Sequence, residues 1–258
     1  MSSVLNKVQQ PLLELVEQMA SLPPQDKVVL DELWKQINRL QAKSQVEVSH
    51  VQFKAGDSPL DEYVEVKNRG DLTIDISHWR INAGSPEQTF TWPEGSFLWP
   101  SESIKVHTKT GTGYSFKSTK PIWNNRGDIA TLFESTGEPI STLAYGDKAH
   151  DAVLISHIQV DGKEHRTEGD EFVELTNISE HIVDLEGWRL ESSRNDAVFV
   201  FETGVKLDPY ACIKVYTNKP SLLANEYSFN SPRAIWNNQQ GGCRLLDYQD
   251  REVSSYHY

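Results

Sequence analysis

The sequence predicts a mainly β protein in which two tandem antiparallel β-sandwiches follow a short α-helical segment. Three observations predict this fold class: a long internal repeat, apolar residues that alternate with period two inside the repeat, and helical spacing confined to the N-terminal part. With 258 residues, the chain has room for two domains of the commonest size. We therefore predict a helical segment at residues 1–46, a first sandwich at residues 47–148 and a second at residues 151–258.

Four sequence blocks carry the repeat and return in the same order. Residues Asp61–Asn68 (DEYVEVKN) return as Asp170–Asn177 (DEFVELTN), at an offset of 109 residues. Two further blocks keep this offset, and residues 122–125 (IWNN) return as residues 235–238 at an offset of 113. Four blocks in one order indicate a duplicated domain.

The alternation of apolar and polar residues within each block is typical of a strand with one buried face. Val64 and Val66 would face one side of the strand, and Tyr63, Glu65 and Lys67 the other. Turn sequences rich in Gly, Asn and Asp separate the blocks at intervals of about 8–12 residues. About seven short strands in each copy predict an antiparallel sandwich.

Tryptophan occurs at equivalent positions of the two copies. Trp79 and Trp188 lie on a predicted strand with apolar neighbours, where a large ring can fill the space between two sheets. Trp123 and Trp236 each precede two asparagines, which suit a tight corner because their side chains bond to nearby backbone. We predict a structural framework formed by Trp79, Trp123, Asn124, Asn125, Trp188, Trp236, Asn237 and Asn238. An aromatic platform for a ligand is the alternative.

These motifs together resemble the lamin tail domain. The resemblance rests on the Asp-Glu-Tyr/Phe-Val-Glu block, the Asp-x-x-x-Trp strand, and Ile-Trp-Asn-Asn with a nearby Gly127-Asp128. The second copy departs from the pattern at Gln239–Cys243, where no Asp follows the Gly. The resemblance implies an immunoglobulin-like β-sandwich that acts as a binding or structural module without chemistry of its own. Two tandem copies without a coiled-coil rod are similar to bacterial members of the family rather than to lamins.

Composition and charge restrict the expected partners and location. The net charge is −12, and residues 149–258 hold 10 basic against 18 acidic residues. Phosphate backbones are bound by clustered Lys and Arg, so nucleic acid and anionic membranes are disfavoured as partners. We find no export signal and no apolar run long enough for a membrane span, and we therefore expect a soluble, cytoplasmic protein. Cys212 and Cys243 are expected to be two small buried thiols.

No active-site motif is apparent in either copy, so we predict no catalytic residue, cofactor or metal ligand. The most tempting candidates are the repeated carboxylates Asp61, Glu62, Glu65, Asp170, Glu171 and Glu174. Glu62 and Glu65 are an odd number of residues apart, so a regular strand would direct them to opposite faces. We expect a strand-edge role, in which these acids oppose a basic neighbour or discourage edge pairing.

The N-terminal segment has two apolar seams at helical spacing. The first is Leu5, Val8, Leu12, Leu15, Met19 and Leu22, and the second, after Pro23 and Pro24, is Leu30, Leu33, Ile37 and Leu40. Such seams suit helix pairing. Pro11 predicts that the first helix begins or kinks near residue 10, and Pro24 fits the first turn of a second helix running to about Lys43. The helices form either a hairpin packed on the first sandwich or a surface for self-association or docking.

These observations favour a non-enzymatic scaffold or adaptor that binds protein partners and itself. The residues predicted to carry self-association or docking are Leu5, Val8, Leu12, Leu15, Met19, Leu30, Leu33, Ile37 and Leu40. The alternative is a sandwich module that binds a ligand or cation through acidic loops of the second copy. A hydrolase would need a cluster of catalytic groups that the sequence does not present.

Overall fold

The computed structural model describes residues 18, 21–54, 61–111, 113–164 and 167–258. The chain divides into two compact units, residues 1–45 and residues 46–258. Helix α1 (Pro24–Gln45) belongs to the first unit, and both copies of the repeat belong to the second. Within the described ranges, no helix combines the length and the apolar character that crossing a membrane requires.

Helix α1 begins at a proline that occupies its first turn. The missing N–H of Pro24 costs no helical hydrogen bond at this position, and the Pro23 carbonyl accepts hydrogen bonds from the backbone N–H groups of Asp26 (3.0 Å) and Lys27 (3.1 Å). The helix ends at Gln45, directly before the first strand. The residues of the first predicted seam from Leu5 to Met19 lie outside the described residues: Leu5, Val8, Leu12, Leu15 and Met19.

Both copies of the repeat form short strands in the same order. The first copy contains β1 (Val46–Gln52), β2 (Tyr63–Asn68), β3 (Ile74–Asp75), β4 (Arg80–Ala83), β5 (Thr89–Thr91), β6 (Phe97–Leu98), β7 (Ser103–His107), β8 (Tyr114–Ser115), β9 (Gly127–Phe133) and β10 (Pro139–Gly146). After the 3-10 turn η1 (Asp147–Ala152), the second copy contains β11 (Val153–Gln159), β12 (Phe172–Asn177), β13 (Ile182–Asp184), β14 (Arg189–Ser192), β15 (Val198–Val200), β16 (Lys206–Leu207), β17 (Cys212–Tyr216), β18 (Glu226–Ser228), β19 (Gly242–Leu246) and β20 (Glu252–His257).

The strands of each copy build two principal sheets that face one another. One sheet has the order β1-β2-β7-β8 in the first copy and β11-β12-β17-β18 in the second. The facing sheet contains β10-β9-β4-β5 in the first copy and β20-β19-β14-β15 in the second. Most pairs are antiparallel, whereas β7–β8 and β17–β18 are parallel. The predicted fold class, two tandem immunoglobulin-like sandwiches behind a short helix, is confirmed.

The core of each sandwich follows from the period-two alternation seen in the sequence. In β2 the buried residues include Val64 and Val66, and in β12 they include Val173 and Leu175, with their strand neighbours only half-buried. Each such side chain contributes about 1.5–3 kcal/mol when it leaves water. The Asp61–Asn68 and Asp170–Asn177 blocks are therefore alike because each supplies the buried face of a central strand.

The two copies share a continuous sheet. Strand β10 of the first copy pairs in parallel with β13 of the second, with Leu143 beside Ile182 and Ala144 beside Val183. This pair extends the first copy's sheet to six strands, in the order β16-β13-β10-β9-β4-β5. The equivalent strands of the first copy, β3 and β6, form a separate two-stranded sheet. The copies are thus joined by backbone hydrogen bonding as well as by the linker.

Candidate functional site

The first glutamate of the repeated block is buried and holds the Ile-Trp-Asn-Asn segment in place. Glu62 Oε2 accepts hydrogen bonds from Ile122 N (3.0 Å) and from Thr108 Oγ1 (3.1 Å). The second copy repeats both bonds, from Ile235 N (3.1 Å) and Thr217 Oγ1 (2.9 Å) to Glu171 Oε2. These two glutamates therefore connect distant parts of each sandwich and are closed to a ligand.

Burial also changes the acidity of these two carboxyls. Desolvation raises the pKa of Glu62 despite the hydrogen bonds that it accepts. In the second copy, desolvation raises the pKa of Glu171 to about 7, against the opposing hydrogen bonds from Ile235 N and Thr217. Oε1 of Glu171 is buried and has no hydrogen-bond partner among the described residues, which fits a carboxyl that is close to half-protonated at neutral pH.

The strand-edge role expected for the repeated acids is wrong in its main part. Strands β2 and β12 each lie between two neighbours, so neither is an edge strand. The expected basic neighbour is present: Glu65 lies opposite Lys105, and Glu174 lies opposite Lys214 with an ion pair of 3.7 Å. The acids on the outer face of these strands therefore form cross-strand pairs in the middle of a sheet.

The structure places the predicted framework residues as follows. Trp79, Trp123, Trp188 and Trp236 are each at most 4% exposed. The side-chain oxygens of Asn124 and Asn237 accept hydrogen bonds from the backbone N–H two residues later, at 2.9 and 3.0 Å. Asn125 and Asn238 are exposed. The first asparagine of each pair thus forms a local turn behind a buried tryptophan, and both asparagines of each pair are exposed.

The corner Asp247–Arg251 of the second copy makes several of the polar contacts at the junction between the two copies. Asp247 is fully buried and bonds to His150 Nε2 in the linker (2.8 Å) and to Arg251 Nη2 (2.6 Å). Arg251 also forms an ion pair with Asp147 of the linker. Tyr248 Oη donates to the Asn125 carbonyl of the first copy at 2.7 Å. One corner therefore binds both the linker and the first copy.

Apolar contacts accompany these bonds at the junction. Ala144 of the first copy is fully buried within the core cluster of the second, and Ile129 packs against the same cluster. The His150 ring meets the Trp188 ring edge to face, with 6.2 Å between the ring centroids. The core of the second copy is consequently completed by residues of the first copy.

A cavity at this junction brings together three potential metal ligands. The ligand atoms of His50, Asp184 and Glu186 lie within 4.8 Å of one another. Phe53, Tyr145 and Tyr248 also line this cavity. Strand β1 supplies the histidine, whereas the end of β13 and the turn after it supply the two carboxylates. No sequence motif predicts this cluster, because its members are distant along the chain and belong to different copies.

The family model of the lamin tail domain matches the chain twice, at residues 39–147 and 147–258. The chain belongs to the lamin tail domain family. The resemblance seen in the repeated motifs is thereby confirmed. Lamin tail domains are immunoglobulin-like modules that typically take part in protein interactions and are generally non-enzymatic. No curated protein matches the chain.

Electrostatics differ between the two acids at the junction of the lamin tail domains. Burial alone would raise the pKa of Asp247, but hydrogen bonds from Arg251 and His150 outweigh it and lower the pKa. At Asp184, burial dominates and raises the pKa, although Lys206 and His50 oppose the shift. Burial in turn lowers the pKa of Lys206, whose ammonium group donates to the Ser49 carbonyl across the junction. Asp247 is thus stabilised as an anion. At Asp184, the attraction of Lys206 and His50 does not outweigh the cost of burying the carboxylate charge.

The side chains of the second predicted seam are exposed to solvent. On α1, Leu30, Leu33, Ile37 and Leu40 are between 36% and 70% exposed, and Trp34 is 68% exposed. The side chains of this seam are therefore accessible to solvent along α1.

The two cysteines of the second lamin tail domain lie in different environments. Cys243 is buried, which raises the pKa of its thiol to about 12. Cys212 is exposed, so the expectation of two buried thiols is wrong for this residue. Cys212 is the first residue of β17, in which Ile213 and Val215 face the core, and the alternation directs Cys212 outward.

Proposed function

We propose that the protein is a non-enzymatic scaffold or adaptor whose two lamin tail domains act together as one binding body. The observation that supports this proposal is the continuous sheet between the domains, with β10 paired to β13 and first-domain residues in the second domain's core. A joint of this kind fixes the spacing between two binding surfaces. Glu62 and Glu171 belong to the repeated acids that were the main candidates for catalysis or metal binding. Both carboxylates accept structural hydrogen bonds instead, which is consistent with a binding role for the domains.

The proposal assigns self-association or docking to the exposed seam of α1. Leu30, Leu33, Ile37 and Leu40 repeat at the spacing of a pairing helix and lie open to solvent. Isolated helices with a narrow apolar stripe gain most of their stability from packing against a partner. Helix α1 of a second molecule would cover this stripe. The seam predicted at Leu5–Met19 would take part in the same contact.

The test is the solution mass of the full chain, measured by light scattering over a range of concentrations. We expect an oligomer for the natural chain and a shift toward monomer for the double variant Leu33→Glu, Leu40→Glu. The matched control is Gln25→Glu, Gln36→Glu, which adds the same two negative charges at exposed positions of α1 outside the seam. A natural chain that stays monomeric throughout, or a double variant with unchanged mass, would contradict the assignment.

A second candidate function is binding of a divalent cation by His50, Asp184 and Glu186. The proximity of one imidazole and two carboxylates in a cavity favours it, since this donor set suits zinc-like ions. The cation would offset the desolvated charge of Asp184, in competition with Lys206. Because the ligands come from both domains, binding would strengthen the junction.

Calorimetric titration with Zn²⁺ and Mn²⁺, together with thermal melts, tests the cation site. We expect heat and a higher Tm for the natural chain and neither for His50→Gln. His157→Gln is the control, because His157 has the equivalent position in β11 and lies outside the cluster. Equal binding by His50→Gln and the natural chain would exclude the site.

A further inference from the structure

The junction between the two lamin tail domains has counterparts at the two ends of the tandem. Strand β20 of the second domain corresponds to β10 of the first, since each follows the equivalent strand in an antiparallel pair. Strand β3 of the first domain corresponds to β13 of the second, since they pair with β6 and β16 in the same register. One end of the tandem thus carries the β10-type strand, and the other carries the β13-type strand.

At the second domain's end, the β20 edge is open. Among the described residues, β20 pairs with β19 alone. Leu143, Ala144 and Tyr145 of β10 are buried at the junction. Their counterparts Tyr256, His257 and Tyr258 are half-buried, exposed and half-buried. The same positions of the fold are therefore covered in the first domain and uncovered in the second.

The backbone of β20 presents a hydrogen-bonding group at this open edge. Tyr258 and Gly241 exchange both backbone hydrogen bonds, each at 3.1 Å. In an antiparallel ladder, the residue next to such a pair directs its N–H and C=O to the other side. His257 therefore directs its backbone groups away from β19, as its counterpart Ala144 does toward β13.

At the first domain's end, exposed apolar residues lie beside β3. Within the described residues β3 pairs with β6 alone. Strand β13 is buried at all three positions, whereas Thr73 and Asp75 of the equivalent segment are half-buried and exposed. Leu72, Phe97 and Trp99 beside β3 are 44%, 50% and 61% exposed.

The exposed aromatic residues occupy positions that the second domain fills with charge. Phe97 corresponds to Lys206 and Trp99 to Asp208, as the β3–β6 and β13–β16 registers show. Lys206 reaches the first domain at the junction, where it donates to the Ser49 carbonyl. In the second domain, this surface contacts the first domain. In the first domain, the equivalent surface is apolar and exposed, which is typical of a surface that binds a protein partner.

We propose that β20 of one molecule pairs in parallel with β3 of a second copy of this chain. The internal junction sets the register, with Tyr256 beside Thr73 and His257 beside Ile74 of the neighbour. By the same equivalence, Phe97 of the neighbour lies near Ser156. The contact joins two different surfaces, so it does not close on itself and generates open head-to-tail chains.

This contact is weaker than the internal junction that it copies. The internal junction is aided by the linker, which raises the effective concentration of the two surfaces to roughly the millimolar range. It is also aided by the ion pair of Arg251 with Asp147, which lies in that linker. Head-to-tail assembly therefore depends strongly on protein concentration. It goes beyond the proposed function and is independent of the α1 seam.

Two variants block the two surfaces separately. His257→Pro removes the outward N–H from β20 and keeps the hydrogen bonds to β19, as proline at a strand edge permits. The double variant Phe97→Glu, Trp99→Glu places charge on the surface beside β3, at positions that are at least half exposed. The matched control is Val198→Glu, Val200→Glu on the edge strand β15, where both valines are nearly half exposed.

Sedimentation of the full chain at rising concentration tests the proposal. We expect the mass to grow without a fixed limit for the natural chain and the β15 control. Each blocked variant should associate at least about tenfold more weakly, as loss of about 1.5 kcal/mol implies. An equimolar mixture of the two blocked variants should form the head-to-tail contact once, because each retains one intact surface.

The mixture separates this contact from association through α1. A contact between α1 seams is retained in both blocked variants, so their mixture would weigh the same as each variant alone. Constant mass of the natural chain at all concentrations would overturn the proposal, as would blocked variants that grow like the control. Failure of the mixture to gain mass over its separate components would also overturn it.

Discussion

Replacing Glu171 with glutamine should make the protein more stable at pH 8 than the natural chain. Glu171 is fully buried, and Oε2 accepts hydrogen bonds from Ile235 N and Thr217 Oγ1. A glutamine side chain has the same shape and can accept both bonds through its amide oxygen. It carries no charge at any pH, so Glu171→Gln removes the cost of ionising a buried carboxyl.

The magnitude follows from the pKa, which burial raises from 4.5 to about 7 in the folded protein. An acid with a raised folded-state pKa favours the folded protein below the unfolded pKa. That contribution is lost as the pH rises through the folded-state pKa. The natural chain should therefore lose about 2.5 kcal/mol of unfolding free energy between pH 5 and pH 8 through this group. The Glu171→Gln variant lacks this loss.

Urea unfolding followed by tryptophan fluorescence, at several pH values from 5 to 8, measures the difference. The difference in unfolding free energy between the variant and the natural chain should grow in the variant's favour by about 2.5 kcal/mol from pH 5 to pH 8, because Glu171 ionises in the folded state over this range. Other titrating groups affect both proteins and cancel in the comparison. Parallel stability curves across this pH range would refute the assignment of a buried, protonated carboxyl to Glu171.

Three further predictions concern the second lamin tail domain. Asp247→Asn should lower the unfolding free energy by about 1.5–3 kcal/mol, because the charge-assisted hydrogen bonds that the buried carboxylate accepts from Arg251 and His150 are weakened; urea unfolding at pH 7 checks this. The folded-state pKa of Asp247 is lowered, so its contribution is present above the unfolded value and is lost as the pH falls through the folded value; the deficit of Asp247→Asn should shrink in acid, and a constant deficit would contradict it. A thiol reagent should label Cys212 and leave Cys243 unlabelled in the native protein, because Cys243 is buried; mass spectrometry of the labelled peptides decides.

The sandwiches could be predicted from the sequence because the alternation that forms their strands lies within short stretches of the chain. Alternation around Val64 and Val66, and again around Val173 and Leu175, is a property of a single strand and is visible along the chain. The partners of Glu62 could not be predicted in the same way. Its hydrogen bond to Ile122 N joins residues that are 60 positions apart, and only the fold brings them together. The repetition of both segments in the second copy was the available signal for that contact.

The junction between the domains could not be predicted from the repeat. Strands β3 and β13 are equivalent in sequence and register, yet one forms a small separate sheet and the other extends a sheet of its neighbour. A repeat reports what both copies have in common, whereas the junction depends on an element of one copy meeting a different element of the other. The His50, Asp184 and Glu186 cluster was hidden for the same reason.

The asymmetry between the copies indicates where interactions are to be sought. Each domain has counterparts of both junction surfaces, and among the described residues only β10 of the first domain and β13 of the second pair across the domains. Polar residues at the two remaining surfaces would give no reason to expect a partner there, because isolated sheet edges commonly carry polar or charged residues. Instead, Phe97 and Trp99 stand exposed where the second domain has a lysine and an aspartate. At least half of each of these two rings is open to solvent, which is why Phe97 and Trp99 give the strongest reason to look for a second molecule at this edge.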